Sequence, residues 1–273
     1  MTVRTRYIGT APRLAVSSCG EGDLVLFLHG VGGNRSNWDE QVALVGRTHL
    51  AVAWDARGYG QSEDASGFGM PDLIADIVRL LDHFGAGRAH LVGLSMGALV
   101  ALSFYFAHPD RVRSLFLANS AAGLDANPVR ADEFLESRLR PLQQGRTPAD
   151  IAPGVARMLS GRNATPATVD RLERSIAALR TDAYISALGI VSRFVLPGEL
   201  GAIAVPAHYV AGEDDRVVPP GIAAAAARAI PGCGFTLIER TGHLSNIEAP
   251  EPFNAALSAF LAGRAAGGRR SGS

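Results

Sequence analysis

The sequence contains no lysine, so all 26 of its basic residues are arginine. Schiff-base catalysis and a Walker-type phosphate loop both require a lysine, and both are therefore excluded. Acidic residues also number 26, which gives a formal net charge of zero. A chain without excess charge has no electrostatic footprint for nucleic acid or for an acidic membrane surface. We therefore expect neither as a partner.

Cysteine is also scarce, since Cys19 and Cys233 are the only two in 273 residues. They are far apart and form no Cys-x-x-Cys motif. We interpret them as free thiols of a reducing compartment, with a structural disulfide as the alternative. The first residues lack the apolar core of a signal peptide, and no apolar run reaches the roughly 18 residues that span a bilayer. The cytoplasm is the expected location.

What the sequence does contain is a hydrophobic fraction of 47%, arranged in short apolar runs that alternate with helical stretches. The continuous runs at 24–28, 50–54, 114–118 and 207–211 are typical of strands covered on both faces. Helical periodicity fills the intervals between most of them. The alternation predicts an α/β fold with a mainly parallel sheet.

The strand pattern disappears between about residues 124 and 196. Four helical stretches are predicted there instead, near 130–143, 148–160, 166–180 and 182–194. We expect residues 1–123 and 197–262 to form the core, and 124–196 to form a helical cap. The cap would lie over the carboxyl ends of the strands, where α/β folds bind ligands. Residues 263–273 are rich in Gly, Arg and Ser and are expected to be a disordered tail.

The most informative motif is the pentapeptide at 93–97, Gly-Leu-Ser-Met-Gly, which follows an apolar run and precedes a helical one. This is the G-x-S-x-G pattern of a nucleophile elbow, in which a sharp strand-to-helix turn exposes a serine. Glycines flank the serine because side chains there would collide with the neighbouring strand and helix. Ser95 is therefore the candidate nucleophile.

Two further candidates follow predicted strands. His243 lies in a glycine-flanked loop after the strand at 235–238, and histidine titrates near neutral pH, so it can take the serine proton. The three acids at 213–215 follow another strand, and one of them would orient the histidine. We favour Asp215 for this role, with Asp214 as the alternative. The non-catalytic interpretation of these acids is a solvated loop or a weak cation site.

A glycine-rich loop, His-Gly-Val-Gly-Gly at 29–33, also follows a strand directly. A developing oxyanion needs two backbone N–H donors. Met96, the residue after the nucleophile, is expected to supply one donor and Val31 the other. His29 itself is expected to be structural and to bond within the loop.

The chain order Ser95, Asp215, His243 resembles that of α/β-hydrolases, and the turn at 55–62 is similar to their D-x-R-G-x-G-x-S segment. Within that superfamily, the pentapeptide at 93–97 and the segment at 242–250 resemble 3-oxoadipate enol-lactonases. The resemblance covers about residues 20–262. It implies an eight-stranded, mainly parallel sheet flanked by helices, with an all-helical cap inserted after the sixth strand. It also implies a small-molecule substrate and no metal or organic cofactor. Homodimers are common for such folds, so a homodimer is an expectation by analogy.

The expected function is that of a serine hydrolase that cleaves a small ester or lactone through an acyl-enzyme. An arginine of the cap would bind the carboxylate if the substrate is a carboxylated lactone. The candidates are Arg138, Arg140 and Arg193. Trp38 is a candidate pocket residue, with core packing as the alternative.

Other functions remain open at this point. Carbon–carbon bond hydrolases of aromatic degradation, acyl transferases and cofactor-free perhydrolases share the same three residues. A non-catalytic small-molecule receptor on the same fold is the alternative from a different class. Haloalkane dehalogenases are excluded because their nucleophile is an aspartate and this chain has Ser95.

Overall fold

The computed structural model describes residues 2–9, 11–123 and 128–265. In these ranges eight strands form one sheet, in the order β1-β2-β4-β3-β5-β6-β7-β8. The strands are β1 Arg4–Ile8, β2 Leu14–Cys19, β3 Leu24–Leu28, β4 Leu50–Trp54, β5 Ala89–Leu94, β6 Val112–Ala118, β7 Ala207–Gly212 and β8 Gly234–Ile238. β1 and β2 pair antiparallel with their neighbours, whereas β3 to β8 pair in parallel. The predicted α/β fold with a mainly parallel sheet is confirmed.

β3 illustrates why both faces of the sheet are covered. All five of its residues are apolar and buried, and successive side chains of a strand point to opposite faces. Leu24, Leu26 and Leu28 accordingly pack into one apolar cluster, while Val25 and Phe27 pack into a second. A strand buried on both faces can only lie in the middle of a layered fold.

Helices supply the two covering layers. Those outside the cap segment are α1 Asp39–Val45, α2 Met70–His83, α3 Met96–Ala107, α8 Pro220–Ala229, α9 Ser245–Glu248 and α10 Pro250–Ala265. Apolar residues of α2, α3 and α8 belong to the first cluster, and those of α1 and α10 belong to the second.

Within the described residues, four α-helices lie between β6 and β7, in the segment where the sequence predicts them. They are α4 Pro128–Gln143, α5 Pro148–Leu159, α6 Pro166–Ala177 and α7 Thr181–Ser192. α4 packs against α7, and α5 packs against α6. α5 and α6 each begin with a proline after a threonine, and the hydroxyls of Thr147 and Thr165 cap the helix N-termini.

The C-terminal end of the chain differs from the prediction. The disordered tail was expected to begin at Gly263, but α10 continues through Ala265, because alanine and arginine both favour a helix. The remainder of the predicted tail, 266–273, lies outside the described residues, as do residues 124–127 at the start of the predicted cap.

Cys19 and Cys233 are both free thiols. Across the ranges that the structure describes, no helix combines the length and the apolar character needed to cross a membrane.

Candidate active site

Ser95 lies on the turn between β5 and α3 and has left-handed backbone angles, with φ of 54° and ψ of −117°. Such angles are strained for any residue with a side chain. The flanking glycines make the turn possible: a Cβ at Gly93 would collide with the carbonyl of Gly97, and a Cβ at Gly97 would collide with that of Leu28. The Ser95 N–H donates to the Ala118 carbonyl at 2.9 Å, which fastens the turn to β6. The turn and its hydrogen bond therefore hold the serine, despite the strain, at the carboxyl end of the sheet.

Two backbone N–H groups lie near this serine. Met96 is the first residue of α3, so its N–H has no acceptor within the helix. Gly30 approaches so closely that a Cβ on it would lie 3.1 Å from the Ser95 Cβ, which brings the loop with Val31 beside the serine. None of the turn and loop hydrogen bonds between described residues uses the N–H of Met96 or Val31. Neither group is therefore committed to a backbone carbonyl of these turns and loops.

His29 stabilises that loop and is buried, with 1% of its surface exposed. Its Nε2 accepts from the Ala56 N–H at 3.1 Å, so its proton must sit on Nδ1, which donates to the Gly30 carbonyl at 2.8 Å. Burial lowers the pKa of His29, although the Gly30 carbonyl and Asp55 oppose that effect. His29 is a neutral structural residue that bonds within its own loop, as predicted, and also connects that loop to Ala56 after β4.

His243 and Asp215 meet although they lie on different loops. The Nδ1 of His243 is 2.8 Å from the Oδ2 of Asp215, and both residues are buried. The other carboxylate oxygen of Asp215 accepts from the N–H groups of Val217 at 2.9 Å and Val218 at 3.0 Å. Burial alone would favour the neutral acid, but the His243 charge and these hydrogen bonds outweigh it and lower the pKa of Asp215.

The other two acids of the loop at 213–215 point elsewhere. Asp214 accepts from the backbone N–H of Arg162 at 2.8 Å and from its guanidinium, and Glu213 pairs with the same arginine at 2.8 Å. Arg162 belongs to the segment between α5 and α6. Asp214 and Glu213 thus bind the helical segment to the core, while Asp215 contacts the histidine.

The backbone of the His243 loop is also bonded to that helical segment. The His243 N–H donates to the Leu159 carbonyl at 2.8 Å. The Oε2 of Glu248 accepts from the N–H groups of Gly161 at 2.8 Å and Gly242 at 3.1 Å. Burial raises the pKa of Glu248 against the effect of these bonds. Its other oxygen has no hydrogen-bond partner among the described residues.

Ser95 and His243 line one cavity of about 560 Å³ between the sheet and α4–α7. Most of the wall on the helical side is apolar. Its apolar residues are Val155, Met158, Leu159, Leu172, Ile176, Leu188, Val191, Phe194 and Val195. Arg138 and Arg193, two of the predicted substrate-binding residues, also line it, together with Arg216. No carboxylate is among the described residues that line this cavity.

The structure corrects two of the predicted cavity residues. Trp38 is 1% exposed and packs against Phe27 and Phe253, with ring centroids 5.3 and 6.0 Å away, so it belongs to the core. The side chain of Arg140 is 67% exposed, and its guanidinium pairs with Glu136 at 2.7 Å, one turn earlier on α4. Neither side chain lines the cavity.

Asn119 and Arg216 have positions in the site that the sequence analysis did not identify. Asn119 directly follows β6 and donates from Nδ2 to the Oδ2 of Asp215 at 3.1 Å. Its place after a buried strand, like those of Ser95 and Asp215, was the available indication. Arg216 directly follows Asp215, so its proximity to the site was implied by that assignment.

The chain is similar to known proteins over most of its length. A family model described as the alpha/beta hydrolase fold matches residues 23–250. The 3-oxoadipate enol-lactonase 2 of Acinetobacter baylyi is 27% identical over 241 residues, which cover 87% of this chain and 88% of that protein. A candidate carbamate hydrolase, RutD of Variovorax paradoxus, is 30% identical over 259 residues, covering 89% and 92%. The solved structure of a thermophilic esterase from Thermogutta terrifontis matches with a TM-score of 0.85 and 27% identity, over 96% of this chain and 99% of the esterase.

Proposed function

The chain belongs to the α/β-hydrolase family, and from that premise we propose that it is a serine hydrolase acting on a small ester or lactone. One observation carries the proposal: the 2.8 Å hydrogen bond between His243 Nδ1 and Asp215 Oδ2 lies beside a cavity whose wall contains both His243 and Ser95. A base, an acid that orients it and a strained serine at one cavity are the parts that acyl transfer to a serine requires.

The first half of the reaction forms an acyl-enzyme. With the proton of His243 on Nδ1, where it is donated to Asp215, Nε2 is left as the base. It takes the proton of Ser95 Oγ, and the oxygen attacks the substrate carbonyl. The N–H groups of Met96 and Val31 stabilise the negative charge on the carbonyl oxygen. As the intermediate collapses, the imidazolium returns the proton to the leaving alkoxide, which departs as an alcohol.

The second half consumes one water molecule. His243 takes a proton from the water, whose oxygen attacks the acyl-enzyme, and the same two N–H groups stabilise the new oxyanion. The proton then passes to Ser95, and the carboxylic acid is released. With a lactone, the alcohol stays attached to the acyl chain, and the product is a hydroxy or keto acid. Every step uses a group of the protein, the substrate or water.

The cavity supports a substrate with an apolar body and a carboxylate. Its volume of about 560 Å³ suits a small molecule, and its helical wall is apolar apart from the arginines. Arg193 and Arg216 line it, and no carboxylate is among the described lining residues, so an anion is the complementary ligand. The name of the enol-lactonase relative agrees with a lactone as the substrate.

Acid release in a pH-stat, with a panel of short esters and lactones with and without a carboxylate, tests this proposal. Wild type should hydrolyse at least one of them, and Ser95→Ala should lower kcat by at least about 10³-fold. Ser103→Ala, which changes a buried serine of α3, the helix that follows Ser95, should retain wild-type kcat. Undiminished turnover by Ser95→Ala would exclude the serine as the nucleophile.

Labelling with a fluorophosphonate tests the nucleophile without knowledge of the substrate. The reagent should modify Ser95 in wild type and in Ser103→Ala, but not in Ser95→Ala, and modification should be much slower in His243→Ala. Absence of labelling in wild type would contradict an activated serine.

A further inference from the structure

Asn119 is a buried amide at the junction of the loops that carry the acid and the base. It follows β6 directly, it is fully buried, and its φ of +50° lies in the left-handed region. Asparagine tolerates that region better than most residues with a side chain. The backbone position therefore favours asparagine, and the contacts of the side chain show what the amide does there.

Both ends of the Asn119 amide are occupied. Its Nδ2 donates to the Oδ2 of Asp215 at 3.1 Å and to the carbonyl of Gly242 at 3.3 Å. Its Oδ1 accepts from the hydroxyl of Ser245 at 2.7 Å. A flipped amide would turn its oxygen towards a carboxylate and a carbonyl, so these three contacts fix its orientation. One side chain thus joins the acid, the residue before the base and α9.

The contact with Asp215 falls on the oxygen that also holds the base. Oδ2 accepts from His243 Nδ1 at 2.8 Å and from Asn119, whereas Oδ1 is bonded to the N–H groups of Val217 and Val218. Without the Asn119 donor, the Oδ2 side of the carboxylate would be held by the histidine alone. The carboxylate would then be less restrained on the side that holds the imidazole, and the imidazole with it.

We propose that Asn119 is a positioning residue, which fixes the Asp215 carboxylate and the Gly242 carbonyl so that His243 is aimed at Ser95. Asn119 also lines the cavity, but its amide is bonded to Asp215, Gly242 and Ser245, so it acts through Asp215 and the base loop. This role rests on the proposed serine hydrolase function. A misplacement of about 1 Å in a catalytic group can lower a rate by about 10²-fold. Loss of Asn119 should therefore reduce kcat and leave substrate binding almost intact.

The first test removes the side chain in two ways. Asn119→Gly leaves the left-handed backbone relaxed, whereas Asn119→Ala strains it, so a shared defect reports on the amide. Both should lower kcat by roughly 10- to 100-fold and change KM by less than about twofold. Ser114→Ala is the matched control. Ser114 is fully buried at the other end of β6 and bonded to His90 at 2.6 Å, so its loss should lower the melting temperature without lowering kcat.

The second test uses the pH profile, which reports whether the group at position 119 acts on the pair formed by Asp215 and His243. In Asn119→Asp the new carboxyl lies beside Asp215, and one proton must be shared between the pair. At about pH 5 the shared proton replaces the amide donor, and at about pH 8 two negative charges repel each other beside His243. As the pH rises across this range, the kcat/KM of Asn119→Asp should fall relative to that of wild type. The same ratio for Asn119→Gly should stay constant. The other charged groups of the site are Glu248 on α9 and Arg138, Arg193 and Arg216 of the cavity wall.

The third test separates this proposal from the proposed function. Proton NMR of wild type should resolve the hydrogen-bonded His243 Nδ1–H, assigned by its loss in His243→Gln, and Asn119→Gly should shift or broaden it while Ser114→Ala does not. This readout needs no turnover, so it decides the role of Asn119 even if wild type hydrolyses nothing. An unchanged resonance with wild-type kcat in Asn119→Gly would overturn the proposal. A rate loss that merely matches the unfolded fraction would do the same.

Discussion

The two sides of the cavity are built on different principles. The floor is the set of loops at the ends of the strands, which carry Ser95, Asn119, Asp215 and His243. Hydrogen bonds of 2.7 to 3.3 Å connect the last three with one another and with their neighbours. The roof consists of α4–α7 and the segment that follows them, and it presents mainly aliphatic side chains with Arg138 and Arg193 among them.

The difference separates rate from selectivity. Hydrogen bonds are directional and fix atoms to within fractions of an ångström, whereas apolar contacts fill volume and tolerate exchange. Changes in the floor should therefore act on kcat, and changes in the roof should act on KM and on the choice of substrate. A floor variant that changes KM alone, or a roof variant that changes kcat alone, would contradict this division.

The largest effect should come from the acid of the floor. Asp215→Asn keeps the shape but removes the charge that fixes the tautomer of His243, so kcat should fall by roughly 10³- to 10⁴-fold. Asp214→Asn is the matched control, because its carboxylate binds Arg162 at the edge of the site, and it should keep kcat within about twofold. Steady-state kinetics at neutral pH measures both. Equal losses in the two variants would reassign the acid.

The second largest effect should come from the roof, where α4 carries both the test residue, Arg138, and its control, Arg140. Arg138→Gln should raise KM for a carboxylated substrate by roughly 10- to 100-fold, the value of one charge-assisted hydrogen bond, and leave a neutral ester unaffected. Arg140→Gln loses only an exposed pair with Glu136 and should change neither. The KM values of a carboxylated ester and its neutral analogue check this. A similar rise for both substrates would mean that Arg138 shapes the wall without selecting charge.

How much of the site could be predicted differs between floor and roof for a physical reason. Each candidate of the floor follows a strand of a parallel sheet within about five residues, and the ends of such strands must converge at one edge. Their place in the sequence therefore implies their place in space. Asn119 obeys the same rule after β6, and it was missed because an asparagine has no intrinsic acid–base chemistry to mark it.

The roof lacks such a rule. Successive residues of a helix are about 100° apart, so Arg138 and Arg140 lie on nearly opposite faces of α4. Which face meets the cavity depends on how α4 packs against α7, and that packing depends on contacts far apart in sequence. The position of Trp38 depends in the same way on Phe253, which lies more than two hundred residues away. The sequence can therefore identify such residues as candidates, but it does not show which way their side chains point.

A smaller effect should follow from Trp38 and should confirm that it belongs to neither side of the cavity. Its indole Nε1 has no hydrogen-bond partner among the described residues, so Trp38→Phe loses packing volume but also removes a buried unpaired donor. We expect a melting temperature lower by less than about 4 °C and an unchanged KM. Thermal unfolding and steady-state kinetics test this together. A raised KM would return Trp38 to the cavity wall.

The smallest effect should lie at the seam where floor and roof meet. Glu248 joins Gly161 of the roof to Gly242 of the floor, and burial raises its pKa, with Asp215 adding to the effect. A raised pKa means that its contribution to stability is complete below the unfolded value of about 4.3 and is lost as pH rises through the folded value. Glu248→Gln keeps an oxygen for both N–H groups and cannot ionise. Relative to wild type, its melting temperature should therefore rise as the pH is raised from about 4.5 towards neutral, by less than about 4 °C. Differential scanning calorimetry of both proteins across that range measures the difference in melting temperature. A difference that stays constant with pH would show that burial does not raise the pKa of Glu248.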